Sequence, residues 1–127
     1  MIEILPGFPD DVLAVAGSGE VSEDDYRKVL VPAVAEKLKN HKTVRLIYHL
    51  GERFTGFTAG AMWEDTKLGI SRWSHWGRIA LVTDVSWIAQ AVRLFAPLFH
   101  HPVRVFANAD IGAAKLWIVE PDEAKAA

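Results

Sequence analysis

Histidines are the first side chains to test for chemistry, because an imidazole can bind a metal or carry a proton at neutral pH. The chain has five of them, but no His-x-His pair and no His-Glu-x-x-His spacing of the zinc-site type. The adjacent His100 and His101 need not converge on one metal. The chain also lacks cysteine, which excludes thiol nucleophiles and cysteine-bound zinc or iron–sulfur sites. We therefore predict no metal site and no cofactor.

Groups for hydrolytic or acid–base catalysis are scattered along the chain. There is no Gly-x-Ser-x-Gly nucleophile elbow, and no spacing supports a triad built from Ser74, His75 and Asp84. The adjacent carboxylates Glu64 and Asp65 are interpreted as solvated surface residues rather than an acid–base pair. Asp84 is interpreted as a helix cap. We predict that the protein is not an enzyme and has no catalytic residue.

Aromatic side chains give the strongest signal for a binding site. They fall in two predicted loops and two predicted helices: Phe54, Phe57, Trp63, Trp73, Trp76 and Trp87. Such rings either pack in the core or line an apolar pocket or partner surface, and their sequence positions leave both readings open. Trp87, Leu94 and Leu98 widen the apolar arc of their helix beyond one stripe, so this helix needs a second partner, either a ligand or another protein copy.

Polar residues beside these rings are candidate ligand contacts. Arg53, with Arg72 and Arg78, is either surface charge or part of a site for a lipid headgroup or carboxylate. His75 is either a polar contact or a hydrogen-bonded loop anchor. The expected ligand-binding set is Arg53, Phe54, Phe57, Thr58, Trp63, Trp73, His75, Trp76 and Trp87.

The order of predicted elements determines where these residues would lie. The apolar run over 44–50 predicts a central buried strand, followed by a loop over 51–58 and a helix beginning at Ala59. Further strands are predicted over 2–5, 12–16, 78–82 and 103–106, and further helices over 23–40, 85–99 and after Asp110. This order predicts a single-domain α/β fold with a mixed, mainly parallel sheet of about five strands and four helices. Ligands would then bind at the carboxyl ends of the central strands.

Two local features are expected on the first helix and one at the end of the chain. Gly17 to Ser22 is interpreted as a loop in which Ser22 caps the helix and Asp25 reaches back to it. Pro32 predicts a kink or break in that helix. The domain is expected over residues 1–120, with a flexible C-terminal tail over 121–127.

Charge and hydropathy narrow the partner classes. The net charge is −2 and no basic run occurs, which argues against nucleic acid as a partner. No apolar run is long enough for a transmembrane segment, and the first residues do not form a signal peptide. We expect a cytoplasmic protein.

Scattered positions along nearly the whole chain resemble a known family. They are the Glu23-Asp24-Asp25-Tyr26 helix start with Pro32, Gly56-Phe57 with Ala61 and Trp63, Arg78 to Val82 with Asp84 and Trp87, Arg104 with Phe106, and Ala113-Ala114 with Trp117. The chain is similar at these positions to the SpoIIAA-like group of the STAS superfamily, which is related in fold to the CRAL-TRIO lipid-transfer domains. The resemblance implies a βα superhelix around a mixed sheet and a regulatory or binding role without enzyme activity.

Three functions are consistent with this resemblance. The first is a non-catalytic domain that binds an apolar or amphiphilic, lipid-like small molecule or a protein partner, with peripheral membrane contact as a variant. The second is a homodimeric interaction module of the anti-sigma-factor-antagonist type, without a small ligand. The third is control by phosphorylation, which in the family falls on an Asp-Ser pair. The corresponding stretch here has no such pair, and Thr55 and Thr58 are its only hydroxyls.

Overall fold

A five-stranded mixed sheet runs through the protein. Its strands lie side by side in chain order: β1 (Ile2–Ile4), β2 (Val12–Val21), β3 (Val44–Phe57), β4 (Trp76–Thr83) and β5 (Val103–Phe106). The computed structural model describes residues 1–121, so positions 122–127 of the predicted tail lie outside the described residues. β1 is antiparallel to β2, and the other neighbouring pairs are parallel. The predicted α/β class with a mainly parallel sheet of five strands is confirmed.

Four helical segments connect and cover the strands. The first consists of α1 (Glu23–Asp25), a π-helical turn (Tyr26–Leu30) and α2 (Val31–Leu38), and the others are α3 (Ala59–Ser71), α4 (Ser86–Phe95) and α5 (Ile111–Ile118). Short 3₁₀ turns occupy Trp73–His75, Ala96–Leu98 and Asn108–Asp110. No helix within residues 1–121 combines the length and apolar character needed to cross a bilayer.

The two faces of the sheet carry separate cores because side chains alternate along each strand. Leu13 and Val15 of β2 point to the face that the first helical segment, α3 and α4 cover. Val12 and Ala14 point to the opposite face, which α5 covers with Trp117 and its neighbours. The three connections between parallel strands therefore lie on one face, and the C-terminal helix closes the other.

The first helical segment begins with the expected cap and contains a π turn before the proline. The Ser22 amide donates to Asp25 at 2.8 Å, and the Asp25 amide donates back to the Ser22 hydroxyl oxygen at 3.4 Å, which is a capping box. The Val31 amide donates to the Tyr26 carbonyl, five residues earlier. Because Pro32 has no amide hydrogen, its own bond in an α-helical ladder is lost. The chain continues through a π turn instead of breaking.

Two segments predicted as loops are strands. β2 continues through the expected glycine loop to Val21, and β3 continues through residues 51–57. The two extensions pair with each other, with Val21 opposite Phe57, through register shifts around Gly19. Gly19 has φ of +60°, a conformation that favours glycine. The glycines therefore permit a bulged strand pair rather than ending the strands.

Asp84 does not cap the helix that follows it. The N-cap of α4 is Val85, which makes no side-chain cap hydrogen bond. Asp84 instead accepts a hydrogen bond from the backbone amide of Asn108 at 2.9 Å. The carboxylate therefore links the end of β4 to the turn after β5, which sequence spacing alone does not reveal.

Candidate ligand-binding cavity

An apolar cavity of about 620 Å³ lies between α3, α4 and the sheet. We call it the α3–α4 cavity. Its floor consists of side chains from β3 and β4, namely Leu46, Tyr48, Leu50, Ile79 and Leu81. Cavities of a few hundred Å³ with mainly apolar walls are typical of small-molecule sites.

The cavity covers the face of the sheet rather than its carboxyl edge. It reaches from Trp76 and Val103, at the starts of β4 and β5, to Phe57 at the end of β3. The reason is incomplete cover by the helices. α3 buries only Ala61, Glu64 and Leu68, and α4 buries only Ile88 and Ala89. The sheet between the two helices is therefore left open, and the cavity extends well beyond the carboxyl ends of the strands at which the site was expected.

Exposed apolar side chains surround the mouth of the cavity. Met62 and Ile70 on α3 are 48% and 69% exposed, and Trp87 and Phe95 on α4 are 53% and 56% exposed. Leu98, in the turn after α4, is 59% exposed, and all five residues line the cavity. Their clustering at one opening distinguishes them from the isolated exposed apolar residues found on most proteins.

A hydrogen-bonded acid and two phenols lie within this apolar surround. The Tyr26 hydroxyl donates to Asp65 Oδ1 at 2.8 Å and lies 3.1 Å from the Tyr48 hydroxyl. Asp65 and Tyr48 line the cavity, and Tyr26 is buried behind them. Burial raises the pKa of both tyrosines, so both keep their protons.

Asp65 is held in an environment that disfavours its charge. Part of the residue remains exposed, but the protein around its carboxyl desolvates it and raises its pKa. The hydrogen bond from Tyr26 acts in the opposite direction and does not outweigh the desolvation. Asp65 is therefore exposed at the surface, as expected, but its carboxyl differs from that of an ordinary surface aspartate in its raised pKa.

Its neighbour Glu64, in contrast, is buried, so the expectation of a solvated carboxylate is wrong for Glu64. Glu64 is only 5% exposed and receives the Arg27 Nε–H at 3.2 Å and the Lys67 ammonium at 3.5 Å. The bond from Arg27 connects the π turn to α3 outside the cavity, whereas the bond from Lys67 lies within α3. Asp65 is thus the acid presented to the cavity, whereas Glu64 fixes the helix that carries it.

Trp76 supplies a second polar atom at the cavity, at the start of β4. The residue is 5% exposed, and its indole Nε1 has no hydrogen-bond partner among residues 1–121. A buried donor without an acceptor costs free energy. A ligand acceptor that reached this nitrogen would remove that cost.

Comparison with known proteins identifies the family. The SpoIIAA-like family model matches residues 12–119, which is most of the chain. This protein belongs to the SpoIIAA-like family. Its fold is similar to that of an uncharacterized protein of the DUF3478 family from Shewanella loihica PV-4, whose crystal structure is described as SpoIIAA-like. The two are 23% identical, with a TM-score of 0.75 over 92% of this chain and 93% of the other. No curated protein matches the chain.

Four of the nine expected ligand-binding residues line the cavity of this SpoIIAA-like domain. They are Phe57, Trp73, Trp76 and Trp87. Trp73 stacks on Phe99 with ring centroids 4.9 Å apart, and this pair closes one end of the cavity. Phe57 lies on a strand instead of the expected loop, so its position is fixed by pairing with β2.

The other five expected residues lie outside the cavity. Phe54 is buried and packs edge-to-face on Phe57, with ring centroids 4.9 Å apart. The Thr58 hydroxyl oxygen accepts the Ala61 amide at 3.0 Å and so caps α3. The His75 Nδ1 is 3.1 Å from the Lys42 carbonyl oxygen, which corresponds to the loop-anchor reading. Arg53 and Trp63 are exposed.

Arg78 lies among the side chains of the opposite face. It is 3% exposed, donates to the Trp117 carbonyl at 2.9 Å and lies 4.9 Å from the centroid of the Trp117 ring. It also donates to the Pro121 carbonyl at 3.2 Å. Arg78 therefore fixes the end of α5 and is not a headgroup contact of the α3–α4 cavity.

Sequence reasoning missed Asp65 and Tyr48 as cavity residues. Asp65 is one of the two carboxylates interpreted as surface residues, and Tyr48 lies within the predicted central strand, whose apolar pattern does not reveal a cavity above it. The structure buries Ala61 and Leu68 and directs Asp65 to the cavity from the same helix face. The spacing of Ala61, Asp65 and Leu68, four and then three residues apart, is the signal that could have found a carboxylate on an apolar face.

Proposed function

We propose that this SpoIIAA-like domain is a non-catalytic binding module that takes an apolar or amphiphilic ligand in the α3–α4 cavity. The supporting observation is a cavity of about 620 Å³ whose walls are largely apolar and whose mouth is open between two helices. Such walls either face water or lose packing contacts, and both carry a free-energy cost. An apolar ligand would recover that cost by covering them.

The contacts of such a ligand would come from both helices and from the sheet. Phe57, Trp73, Trp76 and Trp87 supply large aromatic area. The exposed rim lets a long or flexible ligand enter without a change in the sheet. Arg53, Phe54, Thr58, Trp63 and His75 have other positions and are left out of the proposed site.

Filling the cavity tests the proposal directly. Gly69 lines the cavity, and a Cβ at this position would meet nothing within 4 Å. Gly112, on α5, has the same free space on the other side of the sheet. The pair Gly69→Phe and Gly112→Phe therefore adds the same side chain to a helix inside and outside the cavity.

The probe is the neutral apolar dye N-phenyl-1-naphthylamine, followed by its fluorescence on titration. We expect saturable binding by the wild type and by Gly112→Phe, and binding at least tenfold weaker by Gly69→Phe, which corresponds to about 1.4 kcal/mol. Circular dichroism melting verifies that both variants fold. Equal binding by the two variants would exclude the cavity as the site.

A homodimeric interaction module is the second candidate, and the exposure of α4 favours it. Leu94 is 73% exposed and lies outside the cavity lining. Trp87 and Leu98 of the cavity rim are also exposed, but Leu94 is apolar surface that a ligand in the cavity would not cover. Sedimentation velocity over a range of concentrations should show a dimer that Leu94→Glu disrupts. A monomer at all concentrations would remove this candidate.

A further inference from the structure

The polar end of the α3–α4 cavity contains an acid but no base. Apart from the tryptophan indoles, the polar residues of its lining within 1–121 are Asp65, Tyr48 and Thr66, and no lysine, arginine or histidine is among them. A site for a carboxylate or phosphate head would need a cation or several free donors. This end of the cavity offers a carboxylate instead.

Asp65 retains a free acceptor position. Its Oδ1 takes the proton of Tyr26, and Oδ2 receives no hydrogen bond from residues 1–121. The Thr66 hydroxyl is engaged, since it donates to the Met62 carbonyl at 3.0 Å. A ligand that reaches this end therefore meets an acceptor that no described protein donor satisfies.

We propose that the ligand is an amphiphile with a hydrogen-bond-donating head, an ammonium or a hydroxyl group, which binds Asp65 Oδ2. This inference rests on the proposed function of the cavity. An anionic head would face the Asp65 carboxylate without a counter-charge among the lining residues, and like-charge repulsion would oppose it. A cationic head would supply the missing charge, and a hydroxyl head the missing donor.

The length of the cavity suits a chain attached to such a head. Trp76 pairs with Val44, and Tyr48 lies four residues further along β3. At about 3.3 Å per residue the two ends are about 13 Å apart along the strands. Leu46 and Ile79 line the floor between them. An alkyl chain would lie over this apolar stretch, with its head at Asp65.

The raised pKa of Asp65 agrees with this assignment. It shows a carboxyl whose charge is incompletely compensated in the protein alone. A bound ammonium group would favour the ionised form and lower that pKa again.

Competition among three ten-carbon probes tests the head-group preference. Decylamine, 1-decanol and decanoate are titrated at pH 7, below their micellar concentrations, against N-phenyl-1-naphthylamine bound to the wild type. We expect decylammonium or decanol, or both, to displace the dye at concentrations at least tenfold lower than decanoate. If only the amine does so, the head is cationic; if the alcohol alone does so, it is neutral.

Asp65→Asn removes the charge while keeping the size and an acceptor oxygen for Tyr26. We expect this variant to lose at least tenfold in decylammonium affinity and to bind decanoate more tightly. Asp110→Asn, which changes an exposed aspartate before α5, should leave all three affinities unchanged.

Three outcomes would overturn the head-group inference while leaving the cavity proposal standing. They are decanoate binding as tightly as the other probes, an equal effect of Asp65→Asn on all three, and no displacement of a dye that remains sensitive to Gly69→Phe. If Asp65→Asn does not fold, the wild-type series alone decides. Loss of the difference between Gly69→Phe and Gly112→Phe would instead refute the proposed function itself.

Discussion

The hydroxyl of Tyr26 donates to Asp65 Oδ1 at 2.8 Å and so joins the π-helical turn to α3 beside the cavity. Tyr26 has no exposed surface, whereas Asp65 lines the cavity. The bond therefore connects a core residue to a residue that a ligand can reach. The orientation of the carboxyl therefore depends on the π turn as well as on α3.

Asp65→Asn should increase stability at neutral pH. The native state holds the Asp65 proton to a higher pH than the unfolded chain, whose ordinary value is 3.8. The free energy of unfolding of the wild type therefore falls as the pH rises from about 3.8 to the raised pKa. Asparagine avoids this loss and still accepts from Tyr26.

Urea unfolding between pH 3 and pH 8 measures this effect, at roughly one-unit steps through the window set by the two pKa values. Across that pH range the free energy of unfolding of the variant should increase relative to that of the wild type. Above that range it should remain higher. Asp110→Asn serves as the matched control. A variant that is less stable than the wild type at neutral pH would contradict the prediction.

Ser22→Ala should weaken the start of the first helical segment by about 0.5–2 kcal/mol, because it removes the hydroxyl that caps the helix. Burial alone would raise the pKa of Asp25, but the hydrogen bonds from Ser22, together with the Met1 ammonium group, outweigh it and lower that pKa. Carboxylate stabilisation of this kind is lost as the pH falls below 3.8, so the difference from the wild type should shrink in acid. Chemical denaturation gives the free energy, and Ser74→Ala, on an exposed turn, is the control.

Arg78→Met should loosen α5 from the sheet. The substitution keeps the apolar stem but removes the donors to the carbonyls of Trp117 and Pro121, at a cost of about 1–3 kcal/mol. Amide hydrogen exchange should accelerate across Ile111–Ile118. Arg53→Met, at an exposed position, should leave that exchange unchanged, and equal protection in both variants would rule out the anchoring role.

Two glycine substitutions should change stability in opposite directions. A Cβ on Gly17 would lie 2.8 Å from Leu50 Cδ2, and Leu50 is fully buried, so Gly17→Ala should cost about 1–3 kcal/mol by overpacking. Gly69 is helical with open space beside it, so Gly69→Ala should add about 0.5–1 kcal/mol. Thermal melting of the two variants measures both changes in stability. A Gly17→Ala variant as stable as the wild type would show that the two strands can move apart to accommodate the added methyl group.

Sequence reasoning predicted the sheet well because apolar residues alternate with polar ones, or follow one another without interruption, along the central strands. The run around Ile47 and the run around Leu81 are apolar enough to be recognised without any tertiary information. The glycines at 17, 19, 51 and 56 predict loops, but in the structure they lie in a bulged strand pair. Local composition does not distinguish these two uses, since the pairing partner is far away in sequence.

The site was harder to predict than the fold for a related reason. The aromatic signal led to Trp73 and Trp76, whose neighbours in sequence are also aromatic. Asp65 and Tyr48 come together only when the π turn places Tyr26 between them. A π turn adds one residue to the helical repeat and shifts the faces that follow it, so no α-helical periodicity reveals that contact.

The floor of the α3–α4 cavity is shared with the main core, since Leu46, Tyr48, Leu50 and Leu81 belong to both. A molecule bound there would therefore complete the interior of the protein as well as occupy a site. When its free concentration is a hundredfold above its Kd, binding would add about 2.7 kcal/mol to the free energy of unfolding. The melting temperature and the folded fraction of the protein would then both rise with the concentration of that molecule.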